Sequence, residues 1–265
     1  KGLMTGIAAA GFGVGAMLLS FLSETILSSG KNVLQLFIVI GTVYGILIFT
    51  FAHFIPHPGI KYPADRKTEK EFFYMSGIFY MLLTGIFLGT FAGLLIIGSL
   101  MMIGEQNNIS EHTLILGVSF FAVANFAGRL FWGFISDHMD AALSIFLALV
   151  LQACAIVLLG VLALEPYSFI LLTLLTGFGF SANFVLFAKK TAVVFGVERL
   201  GNIYPFVFLG YAIAGVFGPL TGGLLFDRFG NFTNAATLAA LFSLTGGLIF
   251  LTHYLKTYRR IRSGR

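Results

Sequence analysis

The chain has 265 residues, of which 58% are hydrophobic and only 10% are charged, whereas about 25% of the residues in a soluble globular protein are charged. This composition excludes a disordered chain, a collagen and a disulfide scaffold, and it nearly excludes a cytosolic enzyme. We expect an all-α integral membrane protein, because the apolar runs are long and unbroken. The strands of a membrane barrel would instead alternate over about ten residues.

Eight apolar segments are long enough to cross a bilayer as helices, each of which needs about 20 residues. The predicted spans are 3–22, 33–55, 73–102, 113–136, 141–163, 167–188, 203–226 and 233–255. The longest polar connection, 56–71, holds three prolines and several charges, which is typical of a linker between domains. We therefore expect two helices within 1–55, a cytoplasmic linker over 56–71, a six-helix bundle over 72–256 and a basic cytoplasmic tail over 257–265.

Basic residues predict the orientation of the chain. With the N-terminus placed in the cytoplasm, thirteen of the 16 Lys and Arg residues fall on the cytoplasmic side, two fall on the opposite side, and Arg129 lies inside the fourth span. Since basic loops stay in the cytoplasm, we expect both termini there and a location in the plasma membrane, the inner membrane of a bacterium. Basic loops beside anionic lipid also explain the net charge of +5 without a nucleic-acid partner.

Two spans that lie six apart in the chain carry a similar glycine pattern. The pattern consists of Gly6, Gly11 and Gly15 in the first span and Gly210, Gly215 and Gly218 in the seventh. Close packing of any membrane helices explains small residues equally well. The position of the linker favours two six-helix halves related by pseudo-symmetry, the architecture of major facilitator transporters. The chain would then hold the last two helices of the first half and all of the second, with these glycines in gating or packing roles.

Arg129 is the most informative single residue. It lies eight residues before Asp137, the inner end of the fourth span, and therefore about 12 Å from that end. An arginine near the membrane centre costs about 2.5–3.5 kcal/mol and usually faces a polar cavity, where its fork of donors suits a carboxylate. Asn125 lies one turn earlier on the same face. The alternatives are a structural arginine and an asparagine that bonds between helices.

The run from Asn125 to Asp137, NFAGRLFWGFISD, resembles the eighth helix of the oxalate:formate antiporter family, in the monocarboxylate-transporter branch of the major facilitator superfamily. Residues 1–6 with 10–15 resemble its fifth helix. The resemblance implies a major facilitator fold that is cut just before the fifth of twelve helices. It also implies that Arg129 binds a substrate carboxylate, and that Phe180 and Phe184 match aromatic residues of the cavity. Simple packing is the alternative for these two side chains in a chain with 31 Phe.

Four positions refine what the resemblance implies. Tyr211 stands where the oxalate carrier has a second cationic side chain, a lysine, so a dianion would leave one carboxylate unpaired. Asn125 stands where proton-coupled relatives have Asp, which weakens proton symport and leaves exchange or facilitated transport open. Gly133 and Asp137 retain the start of the loop motif that stabilises one face of these carriers.

We therefore expect a secondary active transporter that moves a small organic anion, chiefly a monocarboxylate such as lactate, pyruvate or formate, by alternating access. The alternatives are an oxalate or other organic-anion exchanger, a drug or sugar carrier of the same superfamily, and a non-transporting membrane remnant. An intramembrane enzyme would need clustered Ser, His or acidic residues at depth, and the sequence has none. The expected partners are the anion, the bilayer and further helices upstream. The five histidines have no metal-ligand spacing, so no metal or cofactor is expected.

Overall fold

The computed structural model describes residues 15, 18–19, 22–23, 25–54 and 73–263. Within these ranges it contains helices, turns and bends but no strand. The chain divides into two compact units, one within Val14–Phe72 and one that includes Phe73–Arg265. The long helices are α1 (Val33–Ala52), α2 (Gly77–Gln106), α3 (Glu111–His138), α4 (Ala141–Val161), α5 (Pro166–Phe195), α6 (Leu200–Phe229) and α7 (Thr233–Ser263).

In the described part of the chain, seven helices are long and apolar enough to cross a membrane. The expected all-α membrane architecture is confirmed, and the protein is an integral membrane protein with several spans. The predicted span 3–22, which includes Gly6 and Gly11, lies mostly outside the described residues, as does the predicted linker 56–71.

Helix α1 belongs to the first unit and begins at a capping box. The Asn32 Oδ1 accepts a hydrogen bond from the Gln35 backbone N–H at 2.9 Å, and the Gln35 Oε1 accepts one from the Asn32 N–H at 3.1 Å. Two N–H groups that lack helical partners are thereby satisfied. Most apolar side chains of α1 are exposed within the described structure, as suits a helix in contact with lipid or other helices.

The second unit is a bundle of the six helices α2 to α7. Its most extensive contacts pair α3 with α5, α2 with α6, and α4 with α7. Two buried apolar clusters fill the bundle, one around Leu95, Leu100 and Phe169 and one around Leu82, Leu186 and Phe250.

A row of small residues brings α6 against α2. Gly210, Ala214, Gly218 and Gly222 recur every four residues on α6 and are all buried, so they form one face of the helix. A Cβ atom at Gly210 would lie 2.6 Å from the Leu83 carbonyl oxygen of α2. The two backbones therefore pack more closely than larger residues would allow.

Helix α3 is held to α5 by a similarly close contact. The Trp132 Nε1–H donates a hydrogen bond to the Phe178 carbonyl oxygen at 3.0 Å. A Cβ atom at Gly128 would lie 2.9 Å from the same oxygen, and one at Gly177 would lie 2.6 Å from the Phe121 carbonyl oxygen. This contact fixes the stretch of α3 that carries Arg129 relative to α5.

Helices α5 and α7 extend furthest beyond their predicted ends. Helix α5 continues to Phe195 rather than ending at 188, and it stops before Gly196, whose φ is 90°. The lysine pair at 189–190 therefore lies in the helix. Helix α7 continues through the predicted basic tail to Ser263. Lys and Arg are strong helix formers and are favourable near a helix C-terminus, so a basic segment without Pro or Gly continues the helix.

Candidate functional site

Arg129 is 6% exposed and lies on the side of α3 that meets α5. Its Nε–H donates a hydrogen bond to the Asn125 Oδ1 at 3.0 Å, the partner that the spacing of one turn predicts. Asn125 thus accepts from the guanidinium through a neutral oxygen. This contact orients the guanidinium group without neutralising its charge.

The guanidinium also lies over an aromatic ring. The Arg129 Cζ is 4.4 Å from the centroid of the Phe184 ring, which α5 contributes. A cation over a desolvated ring is stabilised by about 2 kcal/mol. Phe184 therefore compensates part of the cost of an arginine inside a membrane helix and holds its planar head in one orientation.

Phe184 of α5 belongs to a group of packed aromatic side chains, which includes Tyr211 and Phe208 of α6. The Phe184 and Tyr211 rings are 5.4 Å apart in an edge-on contact, and Tyr211 stacks on Phe208 with centroids 4.9 Å apart. The structure thus brings the predicted site residues Arg129, Asn125, Phe184 and Tyr211 together.

Phe180 lies at the buried end of this aromatic group. It is 4% exposed, it contacts Phe184 with centroids 5.2 Å apart, and it contacts Phe121 at 5.9 Å. Its ring occupies the space that a side chain at Gly93 of α2 would need. Phe180 therefore packs in the core and supports Phe184 from behind.

Tyr204 belongs to the same group, although the sequence analysis does not identify it. Its ring is 5.5 Å from that of Phe208, which in turn lies 6.3 Å from the Phe184 ring beneath Arg129. The signal that points to Tyr204 is its spacing. It precedes Tyr211 by seven residues, about two helical turns, and so faces the same way.

Asp137 and Gly133 lie near the end of α3, and Asp137 is paired with a lysine of α5. The Lys189 ammonium is 2.8 Å from the Asp137 Oδ1, and it also donates to the carbonyl and hydroxyl oxygens of Ser136. Gly133 is buried, and its carbonyl accepts a hydrogen bond from the Ser136 hydroxyl. The predicted loop motif therefore has a partner that sequence reasoning missed, since Lys189 reads as a loop residue.

The glycines predicted to gate or pack lie in different surroundings. Gly210 and Gly218 face α2 in the small-residue row, whereas Gly215 is exposed and a Cβ atom there would meet nothing within 4 Å. Gly15, in the first unit, is likewise open. Gly6 and Gly11 lie outside the described residues.

Among described residues, no group of three or more His, Cys, Asp or Glu side chains lies together as a metal site requires.

A family model described as Major Facilitator Superfamily matches residues 81–264. The chain is also similar to a protein from Oxalobacter formigenes named "Oxalate:formate antiporter", with 28% identity over an alignment of 274 residues. That alignment covers 100% of this chain and 63% of the relative. The resemblance noted from the Arg129 motif is thereby confirmed. The chain belongs to the Major Facilitator Superfamily, a family of membrane transporters rather than enzymes.

Proposed function

We propose that this chain forms part of a secondary active transporter that moves a small organic anion, chiefly a monocarboxylate, by alternating access. One observation carries the proposal: the Arg129 guanidinium, which belongs to a membrane helix, is only 6% exposed and lies over the Phe184 ring. Such a charge is costly inside a membrane and therefore marks a functional site. The guanidinium fork matches both oxygens of a carboxylate.

The charge of the site favours a monoanion over a dianion. In the described helices, Arg129 is the only Lys or Arg that lies more than seven residues from a helix end. Tyr211, close to Arg129, offers a hydroxyl and no charge. A dianion would bring a second carboxylate into a desolvated site without a second cation, and an unpaired buried charge is strongly unfavourable. Lactate, pyruvate and formate carry one carboxylate each.

The neutral partner of Arg129 supports exchange or facilitated transport. A carboxylate at position 125 could take up and release a proton in each transport cycle, whereas the side-chain amide of Asn125 does not titrate near neutral pH. In the proposed carrier, Asn125 only orients Arg129. We therefore expect uptake to be driven by an anion on the opposite side rather than by a pH gradient acting through this pair.

The test is uptake of labelled L-lactate, formate and oxalate into proteoliposomes loaded with each anion in turn. Arg129→Ala is expected to lower lactate uptake at least 100-fold, and Arg129→Lys is expected to lower it severely because the planar fork is lost. Arg228→Ala, which changes a basic residue in the last turn of α6, is the matched control. Undiminished lactate uptake in Arg129→Ala contradicts the proposal.

Oxalate exchange is the second candidate, because the relative that aligns with the whole chain is named an oxalate:formate antiporter. The same liposomes separate the candidates. Oxalate uptake that exceeds lactate uptake favours the second. Tyr211→Lys tests the physical reason, since a second cation near Arg129 should raise the ratio of oxalate to lactate uptake.

A further inference from the structure

Tyr204 has an unusual hydroxyl group. Its oxygen is buried and has no hydrogen-bond partner among the described residues, although more than 90% of buried polar groups in proteins are paired. Its ring is held in position by packing on Phe208, with centroids 5.5 Å apart, and against the apolar cluster around Leu82 and Phe250. The ring is therefore fixed by packing, while its hydroxyl makes no hydrogen bond to another described residue.

Tyr204 packs next to the aromatic rings around Arg129. Phe208 lies 6.3 Å from the Phe184 ring on which the guanidinium rests, and it is flanked by Tyr204 and Tyr211. Both face the same side of α6, and the ring of Phe208 lies between them, 5.5 Å from one and 4.9 Å from the other. The site thus combines one cation with two phenols.

The chemistry of a carboxylate explains this combination. An ionised carboxylate accepts about four hydrogen bonds, and a guanidinium fork supplies two of them. A phenol O–H supplies another without adding charge. We propose that Tyr204 is a substrate-binding residue, whose hydroxyl donates a hydrogen bond to the carboxylate that Arg129 captures and so favours monoanions. This inference rests on the proposed function, because it assigns a further ligand to the same site.

The isosteric substitution Tyr204→Phe tests the inference, since it removes one oxygen and keeps the ring that packs on Phe208. A hydrogen bond to a charged group is strong enough that its loss should raise the KM for L-lactate about 10- to 100-fold. The melting temperature of the substrate-free protein should stay the same or rise, because no hydrogen bond between described residues is lost. Tyr167→Phe, at the exposed start of α5, is the control and should change neither quantity.

The outcomes separate the inference from the proposed function. An unchanged KM in Tyr204→Phe, together with lost uptake in Arg129→Ala, overturns the role of Tyr204 and leaves the carrier proposal standing. A melting temperature lowered by more than about 4 °C marks a structural hydrogen bond and also overturns it. Wild-type protein that transports none of lactate, formate and oxalate overturns both. A raised KM with unchanged melting temperature supports both.

Discussion

The Arg129 guanidinium and the Phe184 ring belong to different helices, yet the guanidinium carbon lies 4.4 Å from the ring centroid. Helix α3 supplies the charge and helix α5 supplies the surface on which it rests. The Gly128 and Trp132 contacts that join these helices lie on either side of Arg129 in sequence. A relative movement of α3 and α5 would therefore change the orientation of Arg129, the proposed substrate-binding residue.

Replacing Phe184 tests this stacking. Phe184→Leu keeps an apolar side chain and removes the ring face, so Arg129 loses a contact of about 0.5–2 kcal/mol. We expect the KM for lactate to rise about 2- to 30-fold. Phe184→Tyr, which keeps the ring face, is the matched control and should stay close to wild type. Equal KM values in the Leu and Tyr variants would show that the ring face does not matter.

Placing a carboxylate beside Arg129 tests the role of its neutral neighbour. In Asn125→Asp, a carboxylate occupies the position from which the Asn125 Oδ1 accepts a hydrogen bond at 3.0 Å. It competes with the substrate for the same guanidinium, and charge-assisted bonds are roughly twice as strong as neutral ones. We expect lactate uptake at pH 7 to fall about tenfold or more. Asn125→Ser, a neutral control, should lose less, and the reverse order would contradict this account.

A pair of glycines on α6 tests the close contact with α2. In Gly210→Ala, the new Cβ would meet the Leu83 carbonyl oxygen at 2.6 Å, and a backbone atom cannot move aside cheaply. We expect a loss of about 1–3 kcal/mol of stability, measured as a lower melting temperature and reduced uptake. Gly215→Ala on the same helix meets nothing within 4 Å and should be neutral or stabilising. Similar losses in both variants would indicate a general intolerance of α6.

The C-terminal end of α3 provides a stability test. Lys189 pairs with Asp137 at 2.8 Å and also donates to Ser136. Exposed ion pairs alone contribute about 0–1 kcal/mol, whereas Lys189 satisfies acceptors at the helix end as well. Lys189→Ala should therefore lower the melting temperature more than Asp137→Asn does. A double-mutant cycle measures the pair itself, and a coupling of zero would exclude the ion pair as a contributor.

The sequence predicts the helices of the bundle well because each needs only a long apolar run. Helix ends are harder to predict. Lys189 and Lys190 read as a loop, but in the structure Lys189 finds acceptors on α3 and Lys190 is buried. Arg129 with Asn125 is visible in sequence because one helical turn joins them. The contact between Arg129 and Phe184 joins separate helices, and no spacing within one helix encodes it.

The protein contains a single tryptophan, and that residue is Trp132, three positions after Arg129. Its ring contacts Phe131 and Phe178 with centroids 5.6 and 5.7 Å away, and its indole N–H is bonded to the Phe178 carbonyl oxygen across the contact between α3 and α5. The intrinsic ultraviolet fluorescence of the protein therefore comes chiefly from one tryptophan close to Arg129, the proposed substrate-binding residue. Titration with unlabelled anions can be followed by that emission, in detergent or in liposomes, without attaching a dye.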